Sequence, residues 1–268
     1  MASISLFAGA IPANYDKYLG PILFEPYALD LAERLNNAEV KYLLELACGT
    51  GRVTRHLVEI VSGNGTLVAT DLNVGMLEVA RAKLQNNKID WKVANALDLP
   101  FDDNQFDHIV CQFGVMFFPD KEKSFKEVNR ILKPGGKYIF NTWESVEKNP
   151  RIDLMWKVIC EVFGNEAPDF LQKGPHSFYD KSIIEQFLLN AGFKNIQIET
   201  VAKTAEYNGP DDLINGFADG SPLSNYLQEK SGELQMNFKK LMKERLTEQD
   251  KVFGNTVPSL ALVIEATK

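Results

Sequence analysis

The stretch Tyr42-Leu43-Leu44-Glu45-Leu46-Ala47-Cys48-Gly49-Thr50-Gly51 decides the fold. An apolar run ends in an acid, a small pair follows, two glycines flank a threonine, and the pattern then turns helical. A second apolar run, Thr66-Leu67-Val68-Ala69-Thr70, ends at Asp71. Together these segments form a strand, a glycine loop, a helix, a second strand and an acid. Such a loop lets the backbone come close to an anionic or zwitterionic ligand, while the acid suits a ribose.

A dinucleotide site would need Gly-x-Gly-x-x-Gly, the third glycine letting the helix pack on the strand beneath a pyrophosphate. Here the loop is Gly49-Thr50-Gly51-Arg52-Val53-Thr54, and the third glycine is missing. Glu45, at the end of the strand, would repel a pyrophosphate but suits the ammonium of a methionine moiety. A nicotinamide-dependent reductase would also want a Tyr-x-x-x-Lys pair, which Tyr15 and Lys17 do not supply.

The combination Glu45-x-Ala47-Cys48-Gly49-x-Gly51 resembles the first motif of class I S-adenosylmethionine-dependent methyltransferases. Asp71-Leu72-Asn73-Val74-Gly75-Met76-Leu77 resembles the second. The resemblance implies S-adenosyl-L-methionine as cofactor, held through Glu45, Ala47, Gly49 and Gly51. A side chain at Gly49 would block the loop's approach. Asp71 would take both ribose hydroxyls as a two-oxygen acceptor. It has a second reading, as N-cap of the following helix. Leu72 and Met76 would lie against the adenine, although Met76 also fits an ordinary core position. In Val93-Ala94-Asn95-Ala96-Leu97-Asp98, Asn95 stands where the family usually has aspartate; it can still accept through its carbonyl oxygen, and Ala96 would offer a backbone amide.

Gln112 and Phe113, closing the strand from Phe106, would reach the methionine portion. Pro134-Gly135-Gly136 completes the pattern by ending a helix. Tyr15 and Tyr18 lie in a segment similar to the family's lid, and Tyr18 would touch the cofactor or pack on the next helix. The resemblance is specific over residues 38–145, and within the family it looks most like the ubiquinone/menaquinone-biosynthesis-like small-molecule branch, methyltransferase type 11.

The coarse order is a helix at 22–36, strand 42–47, helix 51–61, strand 66–71, helix 73–86, strands 89–94 and 106–112, helix 121–132 and strand 136–143. Alternation of this kind means right-handed crossovers and a parallel sheet in an α/β fold, with ligands at the strands' C-terminal ends. An amphipathic helix follows from Lys181 to a glycine stop at Gly192, then a short strand Asn195–Thr200 and a buried strand Ser259–Thr267. The resembling fold implies a Rossmann-like, doubly wound sheet of seven strands, mostly parallel, with the last strand antiparallel between the fifth and sixth. The expected organisation is a lid at 1–37, a cofactor-binding core at 38–149, helical cap segments at 150–178 and 203–250, and the rest of the core at 179–202 and 251–268.

Of 268 residues, 29 are basic and 36 acidic, a net charge of −7. Basic residues are interleaved with acids, as in Lys239-Lys240-Leu241-Met242-Lys243-Glu244-Arg245, so no patch suits a phosphate backbone and no nucleic-acid partner is expected. Cys48, Cys111 and Cys160 have no spacing for zinc or a disulfide framework and point to a reducing cytoplasm. The N-terminal ten residues lack a basic region and make a poor signal peptide. No stretch is long and apolar enough for stable membrane insertion, and no metal is expected.

Methyl transfer from a sulfonium is an in-line displacement at a carbon already bearing its leaving group. Alignment and exclusion of water matter most, and a base is needed only for a weakly acidic acceptor. His176, in the loop Gly174-Pro175-His176-Ser177-Phe178-Tyr179, is the best base among three histidines, with a plain surface-loop role as its alternative. His56 falls on the first helix and His108 at the wrong end of a strand. Trp143, Phe117 and Phe178 would wall an apolar or aromatic pocket. The expected activity is methylation of a small molecule at O, N, S or C by a monomer or homodimer, against the alternative of a non-catalytic S-adenosylmethionine-binding partner.

Overall fold

The computed structural model describes Gly9, residues 11–35 and residues 39–268. The expected lid at 1–37 and the opening residue of the 38–149 core therefore lie partly outside the described residues, as does the candidate signal segment except Gly9. Helix α1 (Ile11–Asn14) runs into a π-helical stretch, Tyr15–Phe24, and then into α2 (Glu25–Glu33). Next come β1 (Tyr42–Glu45), α3 (Thr54–Ile60), β2 (Thr66–Asp71), α4 (Val74–Lys83), β3 (Ile89–Val93), β4 (Phe106–Gln112), α5 (Lys121–Ile131) and β5 (Leu132–Trp143). The chain continues through α6 (Pro150–Phe163), α7 (Phe170–Lys173), α8 (Lys181–Asn190), β6 (Lys194–Glu206), α9 (Pro210–Gly220), α10 (Leu223–Gln228), α11 (Gly232–Phe253) and β7 (Thr256–Thr267).

Among the described residues the strands form a seven-stranded sheet, order β3-β2-β1-β4-β5-β7-β6. β1 pairs in parallel with β2 and β4, β2 with β3, and β4 with β5, while β7 runs antiparallel to β5. Leu43 and Leu44 on β1 and Ile109, Val110 and Cys111 on β4 are fully buried. Their unbroken apolar runs follow from helices covering both faces of a parallel sheet. Strand order reverses between β1 and β4, because the chain first builds outward to β3 and then returns beside β1. At such a switch the loops leave in opposite directions and open a crevice at the C-terminal ends.

Four elements differ from the sequence expectation. The first helix starts at Ile11, because the Gly20-Pro21 pair sits inside a π-helical stretch. There Glu25 N donates to Gly20 O, five residues back. Pro21 is an interior residue of this wider turn. Pro134-Gly135-Gly136 lies within β5 as an irregularity; register jumps from Phe106↔Leu132 to His108↔Lys137. Gly135 has φ +79° and Gly136 N-terminal to Lys137 leaves no room for a Cβ, which would stand 2.7 Å from Asp107 O. β6 and β7 are both longer than expected, so residues 203–206 are strand rather than helix.

The chain divides into two compact units. The α/β unit comprises Tyr27–Trp143, Phe178–Val201 and Ala261–Lys268. The helical unit comprises the described residues up to Pro26, Glu144–Ser177 and Ala202–Leu260. Within the helical unit α9 meets the N-terminal helix through glycines. A Cβ on Gly216 would stand 2.4 Å from Leu19 Cδ2, and one on Gly220 2.8 Å from Tyr15 N.

Candidate active site

The α/β unit brings Glu45 and Asp71 to the C-terminal ends of neighbouring parallel strands. Glu45 is buried, and its Oε2 accepts from Thr54 Oγ1 at 2.6 Å, tying the end of β1 to the start of α3. Burial pushes the Glu45 carboxyl up to about 8; the Thr54 hydroxyl opposes the shift and the nearby Asp71 adds to it. Asp71 works between two loops. Its Oδ2 accepts from Gly49 N at 2.8 Å and its Oδ1 from Asn73 N at 2.8 Å. Burial raises this carboxyl too, against the pull of those amides and that of Leu72. The N-cap of α4 is Asn73, whose side chain accepts from Met76 N at 3.2 Å, so the capping role falls outside Asp71.

The loop between them bends through left-handed backbone. Ala47, Gly49 and Gly51 have φ of 51°, 55° and 79°, a region costly for a side chain and open to glycine. The two glycines differ in what surrounds them. A Cβ on Gly51 would meet Leu84 Cδ1 at 2.9 Å and Ala80 Cβ at 3.2 Å, whereas one on Gly49 meets nothing within 4 Å. Close packing within the protein thus needs Gly51, and the constraint expected at Gly49 is its φ and the ligand's approach. Lys83 Nζ donates to Thr50 O at 3.0 Å and secures the loop from α4.

After β3, Asn95 is exposed and its Oδ1 accepts from Leu97 N at 3.0 Å, leaving one lone pair of that oxygen for a ligand. Ala96 lies beside it. Leu72 keeps 38% exposure, an apolar side chain held at the surface, while Met76 is a core residue. On the other side of β1, Phe113 follows Gln112 with φ 49°, and its N–H donates to Asn141 Oδ1 at 2.8 Å. The Phe113 ring stacks on Trp143 at 3.8 Å between centroids, 6° from parallel. Tyr27 meets both rings edge-on at 5.3 Å and donates its hydroxyl to Val201 O. Trp143 and Phe178 are buried, and Phe117 is partly exposed.

Two expected residues belong to the helical unit. Tyr18 stands on the π-helical stretch, its hydroxyl taking a bond from Lys17 Nζ at 3.1 Å. His176, the expected loop base, stands in the turn after α7. It is buried, its Nδ1 pairs with Glu144 O at 2.6 Å and its N–H with Leu171 O. Burial lowers its pKa, against the influence of Glu144 and Glu147. The ring is a neutral internal tie. Thr54, Asn73, Gly114 and Asn141 escaped the sequence reading. Asn141 alone left a signal, as a polar residue within the apolar run Tyr138-Ile139-Phe140.

The fit to a cofactor follows from charge. Two neighbouring carboxylates sit at strand ends, and among the described residues no Lys, Arg or His makes an ion pair with either. A ligand carrying an ammonium and a sulfonium supplies the missing positive charge. With β7 antiparallel between β5 and β6, the fold and this site define an S-adenosylmethionine-dependent methyltransferase.

Comparison with known proteins narrows the class. The model of the ubiE/COQ5 methyltransferase family matches residues 27–206, beginning where the α/β unit begins, and the chain belongs to that family. A demethylmenaquinone methyltransferase of Staphylococcus carnosus (strain TM300) is 31% identical over 205 residues, 71% of this chain and 84% of its own. A ubiquinone/menaquinone biosynthesis C-methyltransferase of Shewanella sp. (strain W3-18-1) is 32% identical over 171 residues, covering 58% of this chain and 66% of its own. Among solved structures, Haemonchus contortus phosphoethanolamine N-methyltransferase 2 in complex with S-adenosyl-L-methionine has a TM-score of 0.61 at 18% identity, covering 96% of this chain and 56% of that one. That likeness shows the shared fold. The protein uses S-adenosylmethionine to methylate a small molecule. Among the described residues no helix is long and apolar enough to cross a membrane.

Proposed function

We propose that the acceptor is an electron-rich aromatic ring of the hydroquinone class, methylated at carbon. The observation that carries this reading is the aromatic edge at the ends of β4 and β5, where Phe113 and Trp143 stack and Tyr27 closes on both. The names of the curated relatives, which are quinone-pathway methyltransferases, point the same way. Bound S-adenosylmethionine supplies a methyl group on a sulfonium, so the protein's task is alignment and exclusion of water. Glu45, with the loop Ala47–Gly51, would hold the ammonium end. Asp71 would take the ribose, Leu72, Asn95 and Ala96 the adenine, and Gln112 with Phe113 the methionine end.

A hydroquinone makes little demand for a base. Its own hydroxyl oxygen pushes electron density to the ring carbon, and the ring proton released on rearomatisation can leave to water. The neutral, buried His176 fits this economy. The protein acts without a nucleic-acid partner, as a monomer or homodimer, which light scattering would establish.

The test is an assay with methyl-labelled S-adenosylmethionine and 1,4-naphthohydroquinone under reducing conditions, read by mass spectrometry. A ring-methylated product supports the reading. Methylation only at oxygen, or transfer only to amine or thiol acceptors assayed in parallel, would sink it.

A further inference from the structure

Asn141 occupies a place that suits an apolar residue. Tyr138, Ile139 and Phe140 precede it on β5, it is fully buried, and its register partners are Gln112 on β4 and Val263 on β7. Its Oδ1 accepts from Phe113 N at 2.8 Å, which sets the orientation of the amide, oxygen toward Phe113. The Nδ2 on the other side is buried without a partner. An apolar side chain of similar volume would fill this space without an unpartnered Nδ2, at the expense of the acceptor for Phe113 N–H. What the amide adds is the single bond to Phe113.

That bond holds an uncommon conformation. Phe113 has φ 49°, a region that bulky L residues seldom enter. Trp143 lies two residues beyond Asn141, on the same face of β5, and stacks flat on the Phe113 ring. β5 therefore grips Phe113 by backbone and by ring. Just beyond, Gly114 approaches so closely that a Cβ there would stand 2.6 Å from Ala47 Cβ. A Phe113 returned to extended backbone would withdraw Gly114 from Ala47, and the glycine loop after β1 would lose a wall.

We infer that Asn141 is a positioning residue of the methyl-transfer site. It acts through Phe113, setting the edge that faces the methionine end of the cofactor and the seat of Ala47 against Gly114. This rests on the reading above that Phe113 borders the cofactor.

The experiment combines calorimetry with amide NMR, using S-adenosylhomocysteine as the probe. In the native protein the probe should shift the Phe113 amide resonance. An unmoved resonance removes Phe113 from the site, and the site reading fails together with this inference. With the shift present, Asn141→Leu should weaken probe binding about tenfold or more while the protein stays folded. Asn141→Asp, which keeps an acceptor oxygen, should return affinity to within about threefold of native. A role in packing alone predicts the opposite order, with leucine tolerated and aspartate harmful. Native-like binding by Asn141→Leu, or equal loss in both variants, overturns the inference and leaves the site reading standing. If the variants do not fold, exchange of the native Phe113 amide decides. Protection of about a hundredfold over exposed amides supports the bond, and exchange at the exposed rate refutes it.

Discussion

At the scale of single residues the site is governed by two acids that form no ion pair with a cationic side chain among the described residues. Glu45 gains a pKa of about 8 from burial, against an ordinary value of 4.5. Because the folded value lies above the unfolded one, the folded chain holds a proton that the unfolded chain has lost throughout that window. The stability this gives is complete below 4.5 and is lost as pH rises through about 8. The slope from this one group is at most roughly 1.4 kcal/mol per pH unit. Glu45→Gln should remove the slope, so that the variant without ligand melts higher than native at pH 8 and gains little at pH 5. Cofactor binding should show the reverse sense. A cationic ligand needs the ionised carboxylate, so affinity for S-adenosylmethionine should rise as pH climbs toward 8 in the native protein and stay flat in Glu45→Gln. Calorimetry across pH 6 to 9 checks both halves, and a native affinity that falls with pH would refute the role given to Glu45.

Asp71 supplies a second test at this scale. Its two oxygens already hold Gly49 N and Asn73 N, so Asp71→Ala removes loop supports as well as any contact to ribose. With hydrogen bonds to charged groups worth about 1.5–3 kcal/mol each, S-adenosylhomocysteine affinity should drop by two orders of magnitude or more. Unchanged affinity in a calorimetric titration would mean that the cofactor lies elsewhere. Both acids were legible in the sequence because each closes an apolar run, where a carboxylate has no packing purpose. Thr54 and Asn73 were not, since a hydroxyl or amide at a helix start fits many local roles. For His176 only the surface-loop alternative falls, because burial depends on contacts that a local stretch does not contain.

Among the elements, strands were the most legible part of the chain. β2 and β4 fall where expected, because a strand covered on both faces carries a continuous apolar run at its centre, Leu67–Ala69 and Ile109–Cys111. Edges and joins were harder. β6 borders the sheet and mixes exposed with half-buried residues, so its full length is set by pairing with β7. The π-helical stretch depends on hydrogen bonds five residues apart, for which the apolar spacing leaves no mark. The contact between the β1 and β4 loops is another relation between elements, and Gly114 makes it. A Cβ there would stand 2.6 Å from Ala47 Cβ and 2.7 Å from Cys111 Sγ, two atoms with little freedom to retreat. Gly114→Ala should therefore cost roughly 1–3 kcal/mol by overpacking and weaken cofactor binding through the displaced Ala47 loop. Thermal unfolding and titration with S-adenosylhomocysteine would measure the two effects. A variant with a lower melting temperature and intact affinity would separate the contact from the site.

For the molecule as a whole, the sequence interleaves two units whose segments are far apart along the chain. The α/β unit closes through the sheet, and the helical unit must gather three segments that carry only the end of β6 and the start of β7. Arg151 answers that need. Its side chain is 1% exposed, and its Nη2 donates to Asp250 Oδ1 at 2.7 Å, Thr256 O at 2.7 Å and Gly254 O at 3.1 Å. Nη1 reaches Leu246 O and Gln249 Oε1, and Tyr207 adds its hydroxyl to Asp250 Oδ1 at 2.6 Å. One guanidinium thus joins the start of α6 to the end of α11 and the entry to β7. Its five donors make that convergence possible, where a lysine has a single point of charge. Removing one partner of a buried pair costs about 3–5 kcal/mol, because the other is left without compensation. Arg151→Met should cost a loss of that order, and because all these partners lie in the helical unit, the loss should be local. Hydrogen exchange read by mass spectrometry should show protection falling in α6, α11 and the first residues of β7, with β1, β2 and β4 little changed. An even loss across both units would instead make Arg151 a support of the entire chain, and the helical unit would then have no separate stability to lose.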